Sequence, residues 1–166
     1  MCYTFGMAKK TYSAQTSVAV TAPPEKVWDA LVNPAVVQRY LHGTTMQADW
    51  REGGTITWRG DWHGTPYEDK GVVLRFEPPR VISSSHWSPL SGAADQPENY
   101  HIVTYELTES GNQTTLTLTQ SNSPTQQDAD NMVTQGWQPI LHALKQLVER
   151  SPVSKSGGAG NANSDI

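Results

Sequence analysis

Cysteine is almost absent from this chain, since Cys2 is the only one among 166 residues. A single thiol cannot form a disulfide within the chain. Without a CxxC motif or a Cys/His cluster, the sequence also offers no structural zinc site. We therefore expect the fold to be stabilised by its core alone, and the composition fits a reducing compartment.

The sequence also lacks an excess of positive charge and any long apolar run. Its 12 basic and 16 acidic residues are scattered without blocks and give a net charge of -4, which argues against the basic surface of a nucleic-acid binder. No segment reaches the length that spans a bilayer, and the N-terminus lacks the pattern of a secretory signal. We expect a cytoplasmic protein with neither a nucleic-acid nor a membrane partner.

The two ends of the chain have little to bury. Residues 151–166 are mainly Gly, Ser, Asn and Ala, whose burial cannot offset the entropy lost on ordering, so we predict a disordered tail. Residues 1–10 are interpreted as a flexible leader, with Met7 as an alternative start to Met1. The length between them suits one domain over residues 11–150.

Residues 22–43 predict two short helices with a break between them. Pro24 suits a first helical turn, whereas Pro34 ends the first helix because it lacks an amide hydrogen and pushes Asn33 out of the helical region. Gly43 is typical of a helix end. Apolar residues recur at helical spacing in both halves: Val27, Trp28, Leu31 and Val32, then Val36, Val37, Tyr40 and Leu41.

From residue 44 to residue 121 the apolar pattern alternates with period two, which predicts about six strands after a first strand within residues 11–22. One polar face per strand indicates an antiparallel sheet that is wet on one side. The predicted inner positions are Ile56, Trp58 and Trp62, then Val72, Leu74 and Phe76, then Val103, Tyr105 and Leu107, and finally Leu116 and Leu118.

The last apolar segment, residues 125–150, has the stripe of a long helix that covers the sheet. Pro139 lies inside it, and an interior proline kinks a helix, so we expect a bend near residues 136–139. The order of elements is strand, two short helices, about six strands and one long helix. This order predicts an α+β fold, with a curved antiparallel sheet of six or seven strands around a long C-terminal helix.

Four stretches occur in the order APPEKVWDALVNPAVVQRYL, GGTITW, GVVLRFEPPRVISSSHW and GWQPILHALKQLVE. Together they resemble the START-like (SRPBCC) superfamily, and most closely the family related to the C-terminal domain of the activator of the heat-shock-protein-ninety ATPase. The resemblance covers roughly residues 11–150. It implies a helix-grip fold in which the two short helices form a V, with its vertex at Asn33-Pro34, and leave a cavity between helix and sheet.

The titratable residues do not form a recognisable reactive centre. Five histidines are present, but they lack the paired spacing of metal ligands, so we expect no metal and no other cofactor. The serines beside His86 lack the glycine elbow of an activated nucleophile. The histidines are His42, His63, His86, His101 and His142.

General acid or base catalysis needs titratable groups inside the cavity. The charged residues of the strands fall on the predicted outer face or near strand ends, so we assign no catalytic residue and favour a protein that is not an enzyme. His86, His101 and Tyr105 remain the candidates for acid–base chemistry. The charged residues concerned are Arg59, Asp61, Glu68, Asp69 and Glu106.

Six tryptophans in one domain favour either a core filled by indoles or a pocket walled by them. Our leading hypothesis is the pocket, which would bind a small apolar or aromatic molecule. The predicted binding residues are Trp58, Ser84, His86, Trp87, Tyr105, Trp137 and Leu141. Two alternatives remain open: a cochaperone-like module of the stress response that binds a chaperone or another protein, and a cyclase-like or hydrolase-like enzyme. The protein is expected to be a monomer or a homodimer.

Overall fold

The computed structural model describes residues 10–150. The predicted leader, apart from Lys10, and the predicted tail over 151–166 lie outside the described residues. Seven strands are formed: β1 (Tyr12–Val20), β2 (Thr45–Ala48), β3 (Thr55–Trp62), β4 (Thr65–Glu77), β5 (Val81–His86), β6 (His101–Ser110) and β7 (Gln113–Ser123). The helices are α1 (Pro24–Val32), α2 (Pro34–Tyr40), α3 (Gln126–Asn131) and α4 (Gln138–Arg150), with a π-helical turn (Met132–Trp137) between α3 and α4.

The seven strands form one curved antiparallel sheet in the order β1-β7-β6-β5-β4-β3-β2. Every neighbouring pair is antiparallel, and β1 at one edge pairs with the last strand. Together with the long helix and the two short helices after β1, this arrangement confirms the α+β helix-grip fold predicted from the sequence.

The break between α1 and α2 lies where the sequence predicted it. Asn33 has an extended backbone with φ -87° and ψ 113°, and its side-chain oxygen accepts a hydrogen bond from the amide of Ala35 at 3.0 Å. Asn33 therefore caps α2 at the point where Pro34 prevents α1 from continuing. The Tyr40 hydroxyl donates to the carbonyl of Ala30 at 2.7 Å and ties the second helix back to the first.

The long helix is the continuous helical segment from Gln126 to Arg150, which comprises α3, the π-helical turn and α4. The Thr125 side chain caps its start by accepting from the amide of Asp128 at 3.0 Å. Pro139 lies in the first turn of α4, directly after the π-helical turn. A proline tolerates this position because the change of hydrogen-bond register there makes its missing N–H less costly.

The core lies between the inner face of the sheet and the long helix. Five of its most deeply buried side chains come from β1, β7 and α4, and none of them is more than 2% exposed: Val20, Leu116, Leu118, Leu141 and Leu144. The predicted inner positions of β6 and β7 are confirmed, because Val103, Leu107, Leu116 and Leu118 are all buried.

The predicted inner face of β4 is wrong over most of the strand. Val72 and Leu74 are 37% and 46% exposed, whereas Val73 between them is 1% exposed. The cause is a β-bulge: Val73 pairs with Ser84 and Phe76 with Ile82, so three steps along β4 oppose two along β5. One extra residue reverses the inner and outer faces for everything that precedes it in the strand.

Candidate functional site

A cavity of about 240 Å³ lies between the inner face of β2–β6, the two short helices and the long helix. Its walls are mainly apolar, and seven tyrosine and tryptophan rings contribute to them. These rings are Tyr40, Trp50, Trp58, Trp62, Tyr67, Tyr105 and Trp137. The space is therefore not filled by the tryptophans, although they supply much of its lining.

The structure brings five of the seven predicted binding residues to this cavity. Trp58 from β3, Ser84 and His86 from β5, Tyr105 from β6 and Trp137 from the long helix all line it. For the four strand residues the cause is alternation, which places residues at even spacing on one face of the sheet, whereas Trp137 reaches the cavity from the helix that covers this face.

The other two predicted binding residues lie elsewhere. Leu141 is 2% exposed in the packed core, and Ile140 takes its place in the cavity wall. Trp87 does not face the interior as predicted, because it follows His86 and so falls on the opposite face. Its indole N–H donates to the carbonyl of Ala93 at 3.2 Å, and its ring stacks on Tyr100.

The most distinctive polar feature of the cavity is an acid–histidine pair. The Nε2 atom of His86 lies 2.9 Å from Oδ2 of Asp69, and both residues line the cavity. The side chains are 23% exposed for His86 and 14% for Asp69. The second carboxylate oxygen, Oδ1 of Asp69, is buried without a hydrogen-bond partner.

Asp69 faces inward because of the bulge in β4. Upstream of the bulge the inner positions are odd-numbered, and Asp69 pairs across the strands with the inner residue Trp58. The indole of Trp58 in turn meets the imidazole of His86 edge to face, with ring centroids 5.1 Å apart. Simple alternation along β4 predicts Asp69 on the outer face, and the stretch GVVLRF carries no signal for the bulge that brings it inside.

Gly71 permits β4 and β5 to approach closely beside this pair. A Cβ atom at Gly71 would lie 1.8 Å from the backbone oxygen of Ser85 and 3.4 Å from the Cα of His86. Only a residue without a side chain fits such a contact without moving the backbone. Gly71 therefore sets the distance at which Asp69 can reach His86.

Two tyrosines line the cavity as neutral groups. Burial raises the pKa of Tyr105, and burial together with the nearby Tyr105 raises the pKa of Tyr40 well above its usual value. Both hydroxyls therefore stay protonated at ordinary pH. Tyr40 already donates to a backbone carbonyl, so the Tyr105 hydroxyl is the one that a ligand can use.

A polar cluster lies beside the cavity under the long helix. The Trp137 indole donates to Oε1 of Gln120 at 2.6 Å, whereas Nε2 of Gln120 is buried without a partner. His101 pairs with His86 across β5 and β6, and its Nδ1 atom is also buried without a partner. Burial, and then the charge of His86, lower the pKa of His101.

Within residues 10–150, no three His, Cys, Asp or Glu side chains are grouped so that they could hold a metal ion. No helix in the same part of the chain is long and apolar enough to cross a membrane.

A family model described as Activator of Hsp90 ATPase homolog 1-like protein matches residues 21–149. This match includes both short helices, the sheet from β2 to β7 and nearly all of the long helix. A comparison with curated protein sequences finds no match.

Solved structures share this fold. The chain is 42% identical to ChR145 from Cytophaga hutchinsonii, with a TM-score of 0.74 over 87% of this chain and 97% of that one. Two more distant neighbours show the fold alone. One is the Aha1 dimer from Colwellia psychrerythraea, with 21% identity, a TM-score of 0.63 and coverage of 83% and 96%. The other is an HSP90 activator from Plasmodium falciparum, with 20% identity, a TM-score of 0.63 and coverage of 82% and 95%.

Proposed function

The chain belongs to the family of Activator of Hsp90 ATPase homolog 1-like proteins, and within this family we propose that it binds a small apolar or aromatic molecule. The observation that carries the proposal is the cavity of about 240 Å³ between sheet and long helix. A monomeric domain gains stability by filling such a space with its own side chains, so a cavity of this size favours a ligand.

The size of the cavity limits the ligand. A water molecule occupies roughly 30 Å³ of bulk liquid, so the space corresponds to about eight waters and accepts a molecule with on the order of ten non-hydrogen atoms. Flat rings suit walls built from Trp58, Tyr105 and Trp137, because aromatic pairs prefer offset or edge contacts. A micromolar dissociation constant, about -8 kcal/mol, lies well within the limit for so small a ligand.

Polar groups at separate points of the wall support selectivity. The hydroxyls of Ser84 and Tyr105 form no hydrogen bond with any other residue of the described part of the chain, and both line the cavity. A ligand with an oxygen or nitrogen in the right place would bind better than a pure hydrocarbon, because it satisfies these groups.

The test is a titration with an apolar fluorescent probe. The wild-type protein is expected to bind it with micromolar affinity and with energy transfer from the cavity indoles. Ser84→Trp fills the cavity and should weaken binding about tenfold or more, whereas Ser17→Trp on the outer face of β1 is a matched control that should not. Equal affinity in all three proteins, or no binding to the wild type, would contradict the proposal. Native mass spectrometry of the freshly purified protein identifies a ligand that copurifies.

A second candidate function is protein binding of the cochaperone kind. Val72 and Leu74 favour it, because they expose two large apolar side chains on the outer face of β4, where a solvated sheet face is ordinarily polar. The test is whether the protein raises the ATPase rate of a purified Hsp90. Stimulation that is lost in Val72→Lys and kept in Thr57→Lys would support this function, and no stimulation by the wild type would contradict it.

A further inference from the structure

We propose that the cavity is also a site of proton transfer, in which His86 acts as a general base on a small, mainly apolar ketone and Asp69 positions it. The reaction is the removal of a proton from the carbon beside the carbonyl, which leads to the enol. The inference rests on the proposed function, because the ketone must first enter the cavity.

The hydrogen bond to Asp69 determines which nitrogen of His86 is basic. A carboxylate only accepts hydrogen bonds, so Nε2 carries the hydrogen that bridges the 2.9 Å to Oδ2. In the neutral ring Nδ1 then holds the lone pair. No residue in the described part of the chain bonds this Nδ1, and it is not among the fully buried unpartnered atoms. It is therefore accessible on a ring that lines the cavity.

Asp69 is placed to stabilise the imidazolium that forms when His86 accepts a proton. Its side chain is only 14% exposed, so water screens its charge less than that of a surface carboxylate. Its Oδ1 atom has no partner, which makes the carboxylate costly as a purely structural group. A proton accepted by His86 gives this carboxylate a positively charged partner at 2.9 Å, which offsets part of that cost.

Ser84 supplies the hydrogen-bond donor for the oxygen of the substrate. It precedes His86 by two residues on the inner face of β5, a spacing of roughly 6.6 Å along the strand, and its hydroxyl lines the cavity without a described partner. A carbonyl group and its neighbouring carbon fit between a base and a donor at this separation. Donors aimed at a developing oxyanion are among the strongest catalytic contributions.

The step needs no co-reactant. As the C–H bond breaks, the proton forms an N–H bond at Nδ1 of His86. The electron pair of the C–H bond becomes the new C=C bond, and the carbonyl oxygen becomes an enolate that accepts from Ser84. Return of the proton to the oxygen gives the enol, and its return to the carbon restores the ketone.

His101 lacks the accessible nitrogen and the place in the cavity wall that His86 has, although the two histidines face each other across the strands. Its Nδ1 atom is buried without a partner, and its side chain is not part of the cavity wall. A substrate in the cavity therefore meets His86.

The experiment measures hydrogen exchange of 2-indanone, a flat ketone with activated hydrogens beside its carbonyl, in heavy water by NMR. The full chain should accelerate loss of these signals above the rate in buffer. His86→Gln should reduce the acceleration about a hundredfold or more, as expected for the loss of a general base. His142→Gln, on the exposed side of α4, is the matched control and should keep the wild-type rate.

Two further variants separate chemistry from structure. Asp69→Asn keeps the shape of the pair but removes the charge, so kcat should fall about tenfold or more while KM for 2-indanone changes little. A merely structural Asp69 would alter KM or the melting temperature instead. Ser84→Ala should also lower kcat, by about tenfold or more, because the enolate loses its donor.

The outcomes distinguish this inference from the proposed function. If 2-indanone binds but exchanges equally fast with wild type and His86→Gln, proton transfer at His86 is refuted and ligand binding stands. If neither 2-indanone nor the fluorescent probe binds, both are refuted. Exchange that depends on His86 and is saturable supports both.

Discussion

The middle and the C-terminal end of the long helix cover the same sheet in different ways. Towards its end, Leu144 and its neighbours close against β1 and β7 in a core whose side chains are fully buried and apolar. One turn earlier, Trp137 and Ile140 lie over a cavity. One half of this domain is therefore packed for stability, and the other half is kept open by elements that prevent collapse.

The distribution of unpartnered polar atoms supports this division. The buried side-chain atoms without a hydrogen-bond partner within residues 10–150 belong to Asp69, His101, Gln120 and Ser123. Asp69 lines the cavity, Gln120 accepts a hydrogen bond from Trp137 in the cavity wall, and His101 pairs with the cavity residue His86. Ser123 is the exception, because it lies at the end of β7 opposite Tyr12 of β1. Such atoms are costly, so the packed core must supply the free energy that offsets them.

The largest effect on stability should come from shortening a side chain in the packed part of the long helix. Leu144 is 0% exposed, so Leu144→Ala should lower the free energy of unfolding by about 2–5 kcal/mol, because a cavity remains that the core cannot collapse to fill. Ile140→Ala, one turn earlier and beside an existing cavity, should cost only about 1 kcal/mol, because its side chain is half-buried. Urea unfolding of both variants measures the difference, and equal costs would contradict the division.

The sequence predicted this packed half better than the open half. In β7 and α4 an uninterrupted apolar period fixes the buried face, and Leu116, Leu118 and Leu144 follow it. In β4 the bulge after Val73 inverts the period, and the apolar side chains of Val72 and Leu74 offered no warning. A bulge arises from pairing with a distant strand, so a pattern within one strand does not reveal it.

The bulge in β4 also explains which residues of the cavity could be predicted from the sequence and which could not. Residues on strands without a bulge, such as Trp58, His86 and Tyr105, were placed on the correct face by alternation. The alternation of Val72, Leu74 and Phe76 predicts the outer face for Asp69, the partner of His86, because it carries the phase of Phe76 back across the bulge. The cavity itself followed from the family resemblance, since no local pattern states how far a helix stays from a sheet.

A smaller effect should follow from weakening the support of the open half. Tyr40→Phe removes the buried hydrogen bond of 2.7 Å to the carbonyl of Ala30, which ties α2 to α1. The carbonyl loses its side-chain partner, so the free energy of unfolding should fall by about 1–2 kcal/mol. Thermal unfolding measures the change. Tyr67→Phe, which loses a contact of 3.2 Å to the Thr44 hydroxyl, is the matched control, and a greater loss there would contradict this role for Tyr40.

The smallest effect should be a dependence of stability on pH that arises in the open half. Burial and the charge of His86 lower the pKa of His101 in the folded protein, although Asp128 and a backbone contact at Asn122 oppose the shift. Unfolded His101 titrates near its ordinary value of 6.5. Below that pH the unfolded chain binds a proton that the folded protein resists, so the free energy of unfolding should fall as the pH drops from about 6.5 towards the folded pKa.

His101→Gln isolates this contribution, because glutamine does not titrate. The difference in melting temperature between about pH 7.5 and about pH 5.5 should be smaller in His101→Gln than in the wild type, whereas His142→Gln, which alters an exposed histidine of the long helix, should behave like the wild type. Well above about pH 6.5, His101 is neutral in both the folded and the unfolded protein. Its contribution to the free energy of unfolding should therefore not change with pH in that range. If His101→Gln keeps the full acid dependence, the loss of stability arises elsewhere, and the open half is less sensitive to protonation than its unpartnered Nδ1 atom implies.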